Sequence, residues 1–327
     1  MPVRVLRIAR QRPVFKPAPP QASLEELTHG QLRWIDIRHP TDRQMEFVRS
    51  TFPVHPLDLE DCLSSVQRPK LDDYADEDYF FMVLHFPRFN KQTQRTIMAE
   101  IDMFVGRDYV ITVHDAQLKP LTQLFDQLSQ DAARREQLMG RGSGFLCYAI
   151  AEALVRYGFP IMHKIDEHTS AIEASIFDRK SRGLIEQLSL VRRDIITLRR
   201  IIRPNLPVLR QLASRERAFL NLDEDVYFGD LVDLLSKQWD MLEDNRELIE
   251  GLNATLDSLT SHRINDVIKT LTIISVVLLP MTLIASIYGM NVALPLQESA
   301  TAFAVVFGSM LLCAIAMMAY FRWRDWV

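Results

Sequence analysis

The sequence predicts an α+β domain that one long helix joins to a two-helix hairpin able to cross a membrane. Three observations support this prediction. Strand-like stretches are concentrated in the first 115 residues, helical periodicity dominates from Leu118 onward, and two uncharged apolar runs lie after residue 269. With 327 residues, 48% of them hydrophobic, the chain is long enough for more than one folded unit.

The first part of the chain mixes strands with short helices. Stretches rich in β-branched and aromatic residues predict strands at 3–10, 32–39, 78–89, 96–106 and 108–114, and the GRD sequence at 106–108 predicts a hairpin. Residues 41–52 and 55–64 are helical candidates. Thr41 and Asp42 can cap the first of these helices, and Pro56 fits the first turn of the second.

From Leu118 the pattern becomes almost wholly helical. Apolar residues recur at intervals of three and four in the stretches 118–135, 144–177 and 181–202. We expect Pro204 and Pro207 to end this helical part. The soluble part is therefore predicted as a sheet with flanking helices that passes into a helical bundle (αβα).

A heptad pattern follows these prolines, and no proline recurs before Pro280. Two rows of residues spaced by seven define the seam, namely Leu235, Leu242, Ile249 and Leu256, and Asn245, Leu252 and Leu259. One helix from about Phe228 to about Met290 would be roughly 95 Å long at 1.5 Å per residue. Such a helix needs neighbours along its length, and other copies of the chain would supply them about a symmetry axis.

The two apolar runs, Thr270 to Met290 and Ser299 to Phe321, contain no Asp, Glu, Lys, Arg or His. Each is long enough to span the ~30 Å hydrocarbon core of a bilayer as a helix. The segment between them is too short for an external domain. The sequence therefore predicts a hairpin whose outer ends lie on the same side of the membrane.

Positive charge marks that side as cytoplasmic. Arg263 and Lys269 precede the first run, Arg322 and Arg324 follow the second, and the intervening loop carries only Glu298. The N-terminal stretch has scattered charges and no apolar core, so we expect no secretory signal. The expectation is a multi-pass protein of the cell (inner) membrane with both termini in the cytoplasm.

Several function classes are disfavoured by the sequence. The net charge of −4 includes no basic run, which argues against nucleic acid as a partner. Cys62, Cys147 and Cys313 have no metal-ligand spacing. The sequence contains no phosphate loop, nucleophile elbow, zinc-protease helix or dinucleotide fingerprint, so we expect neither an enzyme nor a cofactor.

One face of the first membrane helix differs from the others. Steps of three and four residues give Asn265, Ile268, Leu271, Ser275, Leu279, Thr282, Ser286 and Gly289. The alternative is that the Ser and Thr hydroxyls bond to their own backbone and serve close packing. Their alignment with Asn265 favours a pore lining, whereas Ile273, Val277, Leu283 and Ile284 on the opposite face suit lipid or the second helix.

The chemistry of this stripe favours a hydrated ion. Neither span contains an acidic residue, so a divalent cation would pass with much of its water, held by hydroxyl and amide oxygens. Magnesium gives up its water reluctantly and suits such a path. Leu271 and Leu279 could close the path by dewetting, and Asn265 would add a ring of amide oxygens.

At these residues the chain resembles the CorA family of divalent metal ion (magnesium) transporters. The family signature Tyr-Gly-Met-Asn stands here as Tyr288, Gly289, Met290 and Asn291, at the end of the first apolar run. The similarity extends to RINDVIKTLTIISVVLLPMTLIASIYGMN, to HPLDLEDCLSSVQRPKLDDYADEDYFFMVL, and in character to DYVITVH and FRWRDWV.

The resemblance implies a homopentamer with a funnel-shaped cytoplasmic domain, a stalk and a central ion path. It implies that Asn291 forms the outer ring that meets the hydrated cation, with Gly289 and Met290 shaping the turn. It places Asn265, Ile268, Leu271, Leu279 and Thr282 in the pore. Lys269, Arg322 and Arg324 would belong to a basic collar that marks the membrane boundary.

Two departures from the family pattern concern the ion. The outer loop has Leu294, Pro295, Leu296 and Gln297 where the family often has Met-Pro-Glu-Leu, so Glu298 is the nearest carboxylate. The family's regulatory metal site pairs two carboxylates, and here Asp230 would face Asn90. An amide is a poorer ligand for a hard cation, so regulation by intracellular magnesium is expected to be weak or to use Asp72, Asp73 or Asp166.

The resulting hypothesis is uptake of magnesium, with cobalt or nickel as further cargo, and the alternative is zinc transport with or without protons. The partners expected are divalent metal ions, the lipid bilayer and further copies of the chain. The expected domains are 1–207 (cytoplasmic), 208–267 (stalk), 268–291 (first membrane helix), 292–298 (external loop), 299–321 (second membrane helix) and 322–327 (basic tail).

Overall fold

The computed structural model describes residues 22–64, 67–90, 95–177, 183–290, 301–324 and 326. The chain divides into two compact units, residues 1–249 and 250–327. The strand expected at 3–10 lies outside the described residues, as do Asn291 and the expected external loop 292–298 with Glu298.

A six-stranded sheet organises the first unit. Its strands are β1 (Ser23–His29), β2 (Leu32–Arg38), β3 (Lys70–Tyr74), β4 (Tyr79–Asn90), β5 (Arg95–Gly106) and β6 (Tyr109–His114). Their order is β1-β2-β6-β5-β4-β3, and only the β2–β6 pair is parallel. The predicted strands at 32–39, 78–89, 96–106 and 108–114 are confirmed, whereas the two edge strands β1 and β3 were not predicted. Both carry charged residues that hide strand periodicity.

Helices cover both faces of the sheet. Between β2 and β3 lie α1 (Asp42–Thr51) and α2 (Pro56–Leu63), which pack on one face. Thr41 precedes α1, where its backbone N–H donates to the Gln44 side chain at 3.0 Å, and Pro56 opens α2. Both predicted helix starts are thus confirmed.

The remaining helices of this unit follow β6. They are α3 (Lys119–Gln130), α4 (Ala132–Met139), α5 (Ser143–Ser175), α6 (Leu184–Ile202) and α7 (Asn205–Ala213). The single helix expected at 118–135 is two helices, because the Asp131 side chain accepts the N–H groups of Ala133 and Arg134 and caps a new helix.

The region of Pro204 and Pro207 also differs from expectation. The two prolines were expected to end the helical part, but they lie at the start of α7, where a missing N–H costs little. The domain boundary expected after residue 207 therefore falls within a helix. The Asn205 side chain joins α7 to β4 by accepting the N–H of His85 and donating to its carbonyl.

The long helix α8 (Glu224–Tyr288) begins four residues before the predicted Phe228 and contributes residues to both units. The predicted seam is buried at Leu235, Leu242 and Ile249. Its neighbour is α5 of the same chain, since Gln238 donates to the Val155 carbonyl at 2.5 Å and Asn245 to Asp166 at 3.4 Å. This part of the helix therefore has neighbours within its own chain, in addition to any that other copies of the chain would supply.

The second unit contains the end of α8 and α9 (Ala302–Trp323). Three helices of the described chain are long and apolar enough to cross a membrane, namely α5, α8 and α9. The apolar segment of α5 is half buried and packs against β4, β5 and β6, so it is a core helix. The apolar segments of α8 and α9 are not buried within the chain, as expected for helices that contact lipid or other copies.

Candidate ion pathway

The predicted stripe lies on one side of α8 and is uncovered. At about 100° per residue, the seven positions from Ile268 to Gly289 fall within an arc of about 80°, and Asn265 lies about 40° beyond its edge. All eight residues are exposed. Leu271 and Leu279 have 63% and 70% of their surface accessible, so nothing in the described chain packs on this face.

The opposite face of α8 is partly covered. Ile273, Val277, Pro280 and Ile284 are half-buried, at helical spacing. The expectation that Leu283 lies on this face is wrong, because at about 100° per residue it falls at the same angle as Asn265, and it is 57% exposed. On α9 the less exposed positions also recur at helical spacing, namely Val306, Met310, Cys313, Ala314, Met317 and Phe321. Each of these two helices of the second unit therefore has one face that is less exposed than the rest.

Threonine hydroxyls on α8 bond to the backbone of the preceding turn. Thr282 Oγ1 donates to the Leu278 carbonyl at 2.8 Å. Because the hydroxyl proton points at that carbonyl, the lone pairs of the oxygen face outward and can accept hydrogen bonds from water. Thr282 is thereby suited to hold the water of a hydrated cation, whether or not the same bond also serves packing.

The helix end at the signature residues is tightened by its last hydrogen bonds. Gly289 N donates to Ala285 O at 2.9 Å, and Met290 N donates to Ile287 O at 3.2 Å. Gly289 does not have a positive φ. A Cβ at this position would lie 3.2 Å from Ala285 O, so the residue permits close backbone approach rather than a left-handed turn. Tyr288 and Met290 are exposed.

Cationic and aromatic side chains gather at the other end of the second unit. Lys269 Nζ lies 5.9 Å from the ring centroid of Trp326, and that ring stacks on Phe321 at 5.7 Å. Arg322 and Arg324 at the end of α9 are exposed. Lysine, arginine and tryptophan together are typical of the boundary between membrane and water.

A buried ion-pair network, which we call the stalk anchor, joins the start of α8 to the sheet. It consists of Asp73 on β3, Arg217 before α8, and Glu224 at the first position of α8. Arg217 Nη2 lies 2.6 Å from Asp73 Oδ2, and Nη1 lies 2.6 Å from Glu224 Oε2. The Arg217 side chain is 4% exposed. Burial alone would lower the pKa of Arg217, but the hydrogen bonds to both carboxylates outweigh it and raise that pKa.

The sequence pattern did not reveal this anchor. Asp73 and Arg217 lie 144 residues apart, and no motif links them. The guanidinium also donates to the carbonyls of Leu212 and Arg215, so its charge is well hydrogen-bonded. A buried charge with this many partners fixes the orientation in which the long helix leaves the sheet.

The two residues expected at the regulatory site lie on different elements. Asp230 is half-buried on α8 and accepts a hydrogen bond from the Tyr148 hydroxyl at 3.1 Å. Burial, together with the charges of Glu152 and Asp230, raises the pKa of Tyr148, so the phenol remains a donor. Asp230 also lines a cavity of about 520 Å³ with Asp225, Asp233 and Arg210. Asn90 is the last residue of β4.

The acids considered as substitutes already have partners. Lys70 Nζ lies 2.5 Å from Asp72 Oδ2, Arg217 binds Asp73, and Asn245 donates to Asp166. Within the described ranges no group of three or more His, Cys, Asp and Glu side chains is arranged to hold a metal ion.

One buried carboxyl group stands apart from these networks. Asp102 on β5 is 4% exposed, and its Oδ1 has no hydrogen-bond partner among the described residues. Burial, and next the charge of Glu100, raise the pKa of Asp102 to about 8. Asp102 therefore carries a proton over much of the pH range in which ordinary carboxyl groups are ionised.

Comparisons with known proteins agree with the observed architecture. Residues 29–323 match the family described as CorA-like Mg2+ transporter protein. The Bacillus subtilis protein YfjQ is 32% identical over 294 residues, covering 90% of this chain and 89% of that protein. The cobalt/magnesium transport protein CorA of Thermotoga maritima is 28% identical over 298 residues, covering 90% and 83%.

A solved structure shows the same fold. The CorA magnesium transporter from Methanocaldococcus jannaschii superposes with a TM-score of 0.79 at 22% identity, covering 93% of this chain and 95% of that chain. An α/β sheet domain, a long helix and a C-terminal helix are thus common to both. The family match spans almost the whole chain and includes both α8 and α9, so the chain belongs to the CorA-like Mg2+ transporter family.

Proposed function

We propose that the chain assembles into a homopentamer that carries hydrated magnesium across the cell membrane through a central pore. The observation that carries this proposal is the uncovered, uncharged stripe of α8, which lies opposite the half-buried face of the same helix. Five copies of this face about one axis would enclose a path and remove its apolar residues from lipid or water. The funnel-shaped arrangement of the sheet domains around the stalk belongs to the same proposal.

The stripe supports passage of an ion that keeps its water. Ser275, Thr282 and Ser286 offer hydroxyl oxygens, and Asn265 offers an amide at one end. Magnesium holds its inner water strongly, so uncharged oxygens that accept hydrogen bonds from that water can bind it without dehydration. An acidic ring within the span would bind the ion more tightly and slow its release.

The apolar positions of the stripe would act as gates. Leu271 and Leu279 lie two turns apart on the uncovered face, with Ile268 below them. A ring of five leucine side chains can expel water from a narrow path, and a hydrated cation cannot cross a dry constriction cheaply. Opening then requires only a small outward movement of α8, which the stalk anchor connects to the sheet.

The signature residues would form the outer entrance. We assign Asn291 to a ring of carboxamide oxygens that receives the hydrated cation, with Tyr288, Gly289 and Met290 holding the helix end beneath it. Glu298 would attract cations from the outer loop. Lys269, Arg322 and Arg324 would form a collar at the cytoplasmic boundary, and both termini would then lie in the cytoplasm.

Control by intracellular magnesium would involve Asp230 and Asn90 of neighbouring subunits. Asp230 already accepts a hydrogen bond from Tyr148, so one of its lone-pair directions is occupied. An amide donates as well as accepts, so Asn90 could bond Asp230 directly without any ion. We therefore propose that inhibition by magnesium at this interface is weak.

Magnesium is favoured over zinc by the donor set. The stripe contains no His, Cys, Asp or Glu side chain, and zinc is usually bound by nitrogen and sulfur ligands. Cobalt and nickel, as hexahydrated divalent ions, are further candidates for the same path. Zinc transport would require a site in the outer loop that the stripe does not provide.

Ion flux into liposomes holding the purified full chain tests the proposal. We expect magnesium entry driven by the membrane potential, with no requirement for a pH gradient. Asn291→Ala should abolish this flux while the oligomer keeps its mass, whereas Gln211→Ala, which removes an exposed carboxamide from α7, should transport normally. Proton-driven zinc entry without magnesium flux would refute the proposal, and normal magnesium flux in Asn291→Ala would refute the ring.

A further inference from the structure

A cluster of arginines around Trp239 forms a cleft in the first unit that the ion pathway does not use. Two adjoining cavities, of about 360 and 610 Å³, share Arg203, Pro204 and Trp239. We call this pair of cavities the Trp239 cleft. Its charged and aromatic lining residues are Arg199, Arg200, Arg203, Arg210, Trp239 and Asp240.

The charge of the Trp239 cleft is positive and mostly uncompensated. Arg199 Nη2 lies 2.9 Å from Glu243 Oε1, so its charge is paired. For Arg200, Arg203 and Arg210 the described part of the chain provides no carboxylate within ion-pair distance, and Asp240 alone among the cavity-lining residues is acidic. The chain as a whole carries a net charge of −4, so this local excess of cations is not a consequence of composition.

Helix stability explains only part of the cluster. Arg199 and Arg200 lie in the last turn of α6, where a cation complements the helix dipole. Arg210 likewise lies in the last turn of α7. The dipole effect does not require Arg203, beyond the end of α6, and it does not require cations from two helices to line the same cleft. Their convergence from two helices on one face of α8 points to an anionic ligand.

Trp239 adds an aromatic surface to this anion site. The guanidinium carbons of Arg199 and Arg203 lie 5.1 and 5.8 Å from its ring centroid. The ring is half-exposed and borders both cavities, beside the apolar residues Ile196 and Pro207. A ligand that fits this lining has a planar apolar part to place against the indole and several negative charges to place among the arginines.

We propose that the Trp239 cleft binds a nucleoside polyphosphate, with the base against Trp239 and the phosphates among Arg200, Arg203 and Arg210. On the other side of Arg210 lie two acidic residues, Asp230 and Asp233. Their negative charge repels the phosphates and confines them to the part of the cleft next to Trp239. Both the volume and the mixture of aromatic and guanidinium groups match this class of ligand.

The proposal gives the cleft a regulatory use that rests on the proposed magnesium transport. Magnesium bound to a triphosphate neutralises part of its charge and occupies phosphate oxygens. The arginines therefore bind the magnesium-free form more tightly. When cytoplasmic magnesium is scarce, more of the triphosphate is free of magnesium and more of it binds to the cleft. Because α8 forms part of the cleft, this binding would act on the helix that lines the proposed pore.

Binding to the full-length oligomer in lipid nanodiscs, measured by calorimetry, tests the inference. The probes are adenosine triphosphate, inorganic tripolyphosphate and adenosine. We expect the triphosphate to bind, tripolyphosphate to bind more weakly, and added magnesium to weaken both. The double variant Arg200→Gln/Arg203→Gln should weaken triphosphate binding by about tenfold or more, because two charge-assisted contacts are lost.

Two further variants separate the parts of the site. Arg192→Gln removes an exposed arginine from α6 outside the cleft and should leave the dissociation constant within about twofold. Trp239→Leu should abolish the preference for triphosphate over tripolyphosphate, because only the nucleoside uses the indole.

Several outcomes would overturn the inference. The first is absence of binding at millimolar triphosphate. The second is a loss of triphosphate affinity in Arg192→Gln as large as that in the Arg200→Gln/Arg203→Gln double variant. The third is a double variant in which the mass of the oligomer changes but the affinity for triphosphate does not. The last result would assign the arginines to contact with a second copy of the chain. Wild-type protein that binds triphosphate but moves no magnesium would refute the proposed function alone, and the converse result would refute this inference alone.

Discussion

The two parts of α8 show how one helix is built for two surroundings. From Glu224 to Ile249 one face is buried at a regular spacing, with Phe228, Leu231 and Leu242 almost inaccessible. From Asn265 to Gly289 no residue is fully buried. The first part finds its neighbours within the chain, while the second exposes leucine and isoleucine around most of its circumference.

Only the second part of α8 has an exposed and uncharged face that further copies of the chain could cover. The heptad seam of the first part is satisfied by α5, so it does not call for a second copy. In the second part, the face opposite the stripe is half-buried and the stripe itself is exposed. Apolar residues opposite the stripe suit lipid or the second helix, whereas Ser275, Thr282 and Ser286 on the stripe suit water or another copy of the helix.

The stalk anchor gives the largest expected effect on folding. Arg217→Met leaves Asp73 and Glu224 as buried carboxylates without their cation, and we expect a loss of about 3–5 kcal/mol in the free energy of unfolding of the first unit. Chemical unfolding of the full chain in detergent, followed through hydrogen exchange of β3 and β4, measures this loss.

A neighbouring arginine provides the control. Arg215 lies 3.7 Å from the same Asp73 oxygen, but its side chain is 62% exposed. Arg215→Gln should change the free energy of unfolding by about 0.5 kcal/mol or less. Equal effects of the two substitutions would show that the anchor does not stabilise the start of α8.

Matched leucine substitutions test the contrast between the two parts of the helix directly. Leu242→Ala opens a cavity against the first unit and should cost about 2–5 kcal/mol, since the side chain is 1% exposed. Leu279→Ala removes a side chain that is 70% exposed within the chain and should leave the unfolding of the first unit unchanged.

Leu279→Ala should change magnesium transport and leave folding unaffected. If Leu279 forms a gate, its replacement by alanine widens the constriction and raises magnesium flux in liposomes. Unchanged flux together with unchanged oligomer mass would place Leu279 toward lipid and remove it from the stripe. Destabilisation of the first unit by Leu279→Ala would contradict the division of α8 into a part packed within the chain and an exposed part.

Much of the architecture followed from periodicity in the sequence. The central strands, the helix that begins at Pro56, the long helix and the two apolar runs have regular patterns that single residues do not obscure. The sequence did not predict the edge strand β3, because KLDDY is mostly polar. An edge strand pairs with one neighbour only, here β4, so it needs fewer of the apolar residues by which a strand is recognised. The break at Asp131 and the helix at Pro207 were missed because each depends on a local cap or turn rather than on periodicity.

Polar contacts between residues far apart in the sequence could not be predicted. Arg217 and Asp73, or His85 and Asn205, meet through the tertiary fold and have no shared motif. The stripe on α8 could be derived because helical geometry alone aligns its members. Which face of α8 stays exposed depends on how apolar helices pack, and the sequence only suggested it.

Asp102 gives a smaller effect that depends on pH. Its pKa is raised to about 8 in the folded chain, against an ordinary carboxyl value near ~3.9 in the unfolded chain. Between these values the folded state holds a proton that the unfolded state has released, so stability falls as pH rises, by up to about 1.4 kcal/mol per pH unit. Above the folded value this contribution becomes constant.

Asp102→Asn should remove this slope, because the amide does not titrate. The difference in free energy of unfolding between variant and wild type should move in favour of the variant as pH rises from about 4 to 8. Parallel curves over that range would show that Asp102 is ionised in the folded chain. Glu25→Gln, at an exposed position on β1, serves as the control for loss of one acidic group.

The smallest expected effect concerns one hydroxyl of the stripe. Thr282→Val keeps the shape of the side chain and deletes an oxygen whose lone pairs face the proposed pore. We therefore expect magnesium flux to fall about two- to fivefold, which corresponds to the loss of a hydrogen bond worth about 0.5–1 kcal/mol. Thr270→Val is the matched control. Its hydroxyl makes the same bond to the preceding turn, at 2.9 Å from Asp266 O, but points away from the stripe. Equal losses in both variants would mean that backbone bonding by threonine, rather than contact with the hydrated ion, determines flux, and the uncovered face of α8 would then be a packing surface.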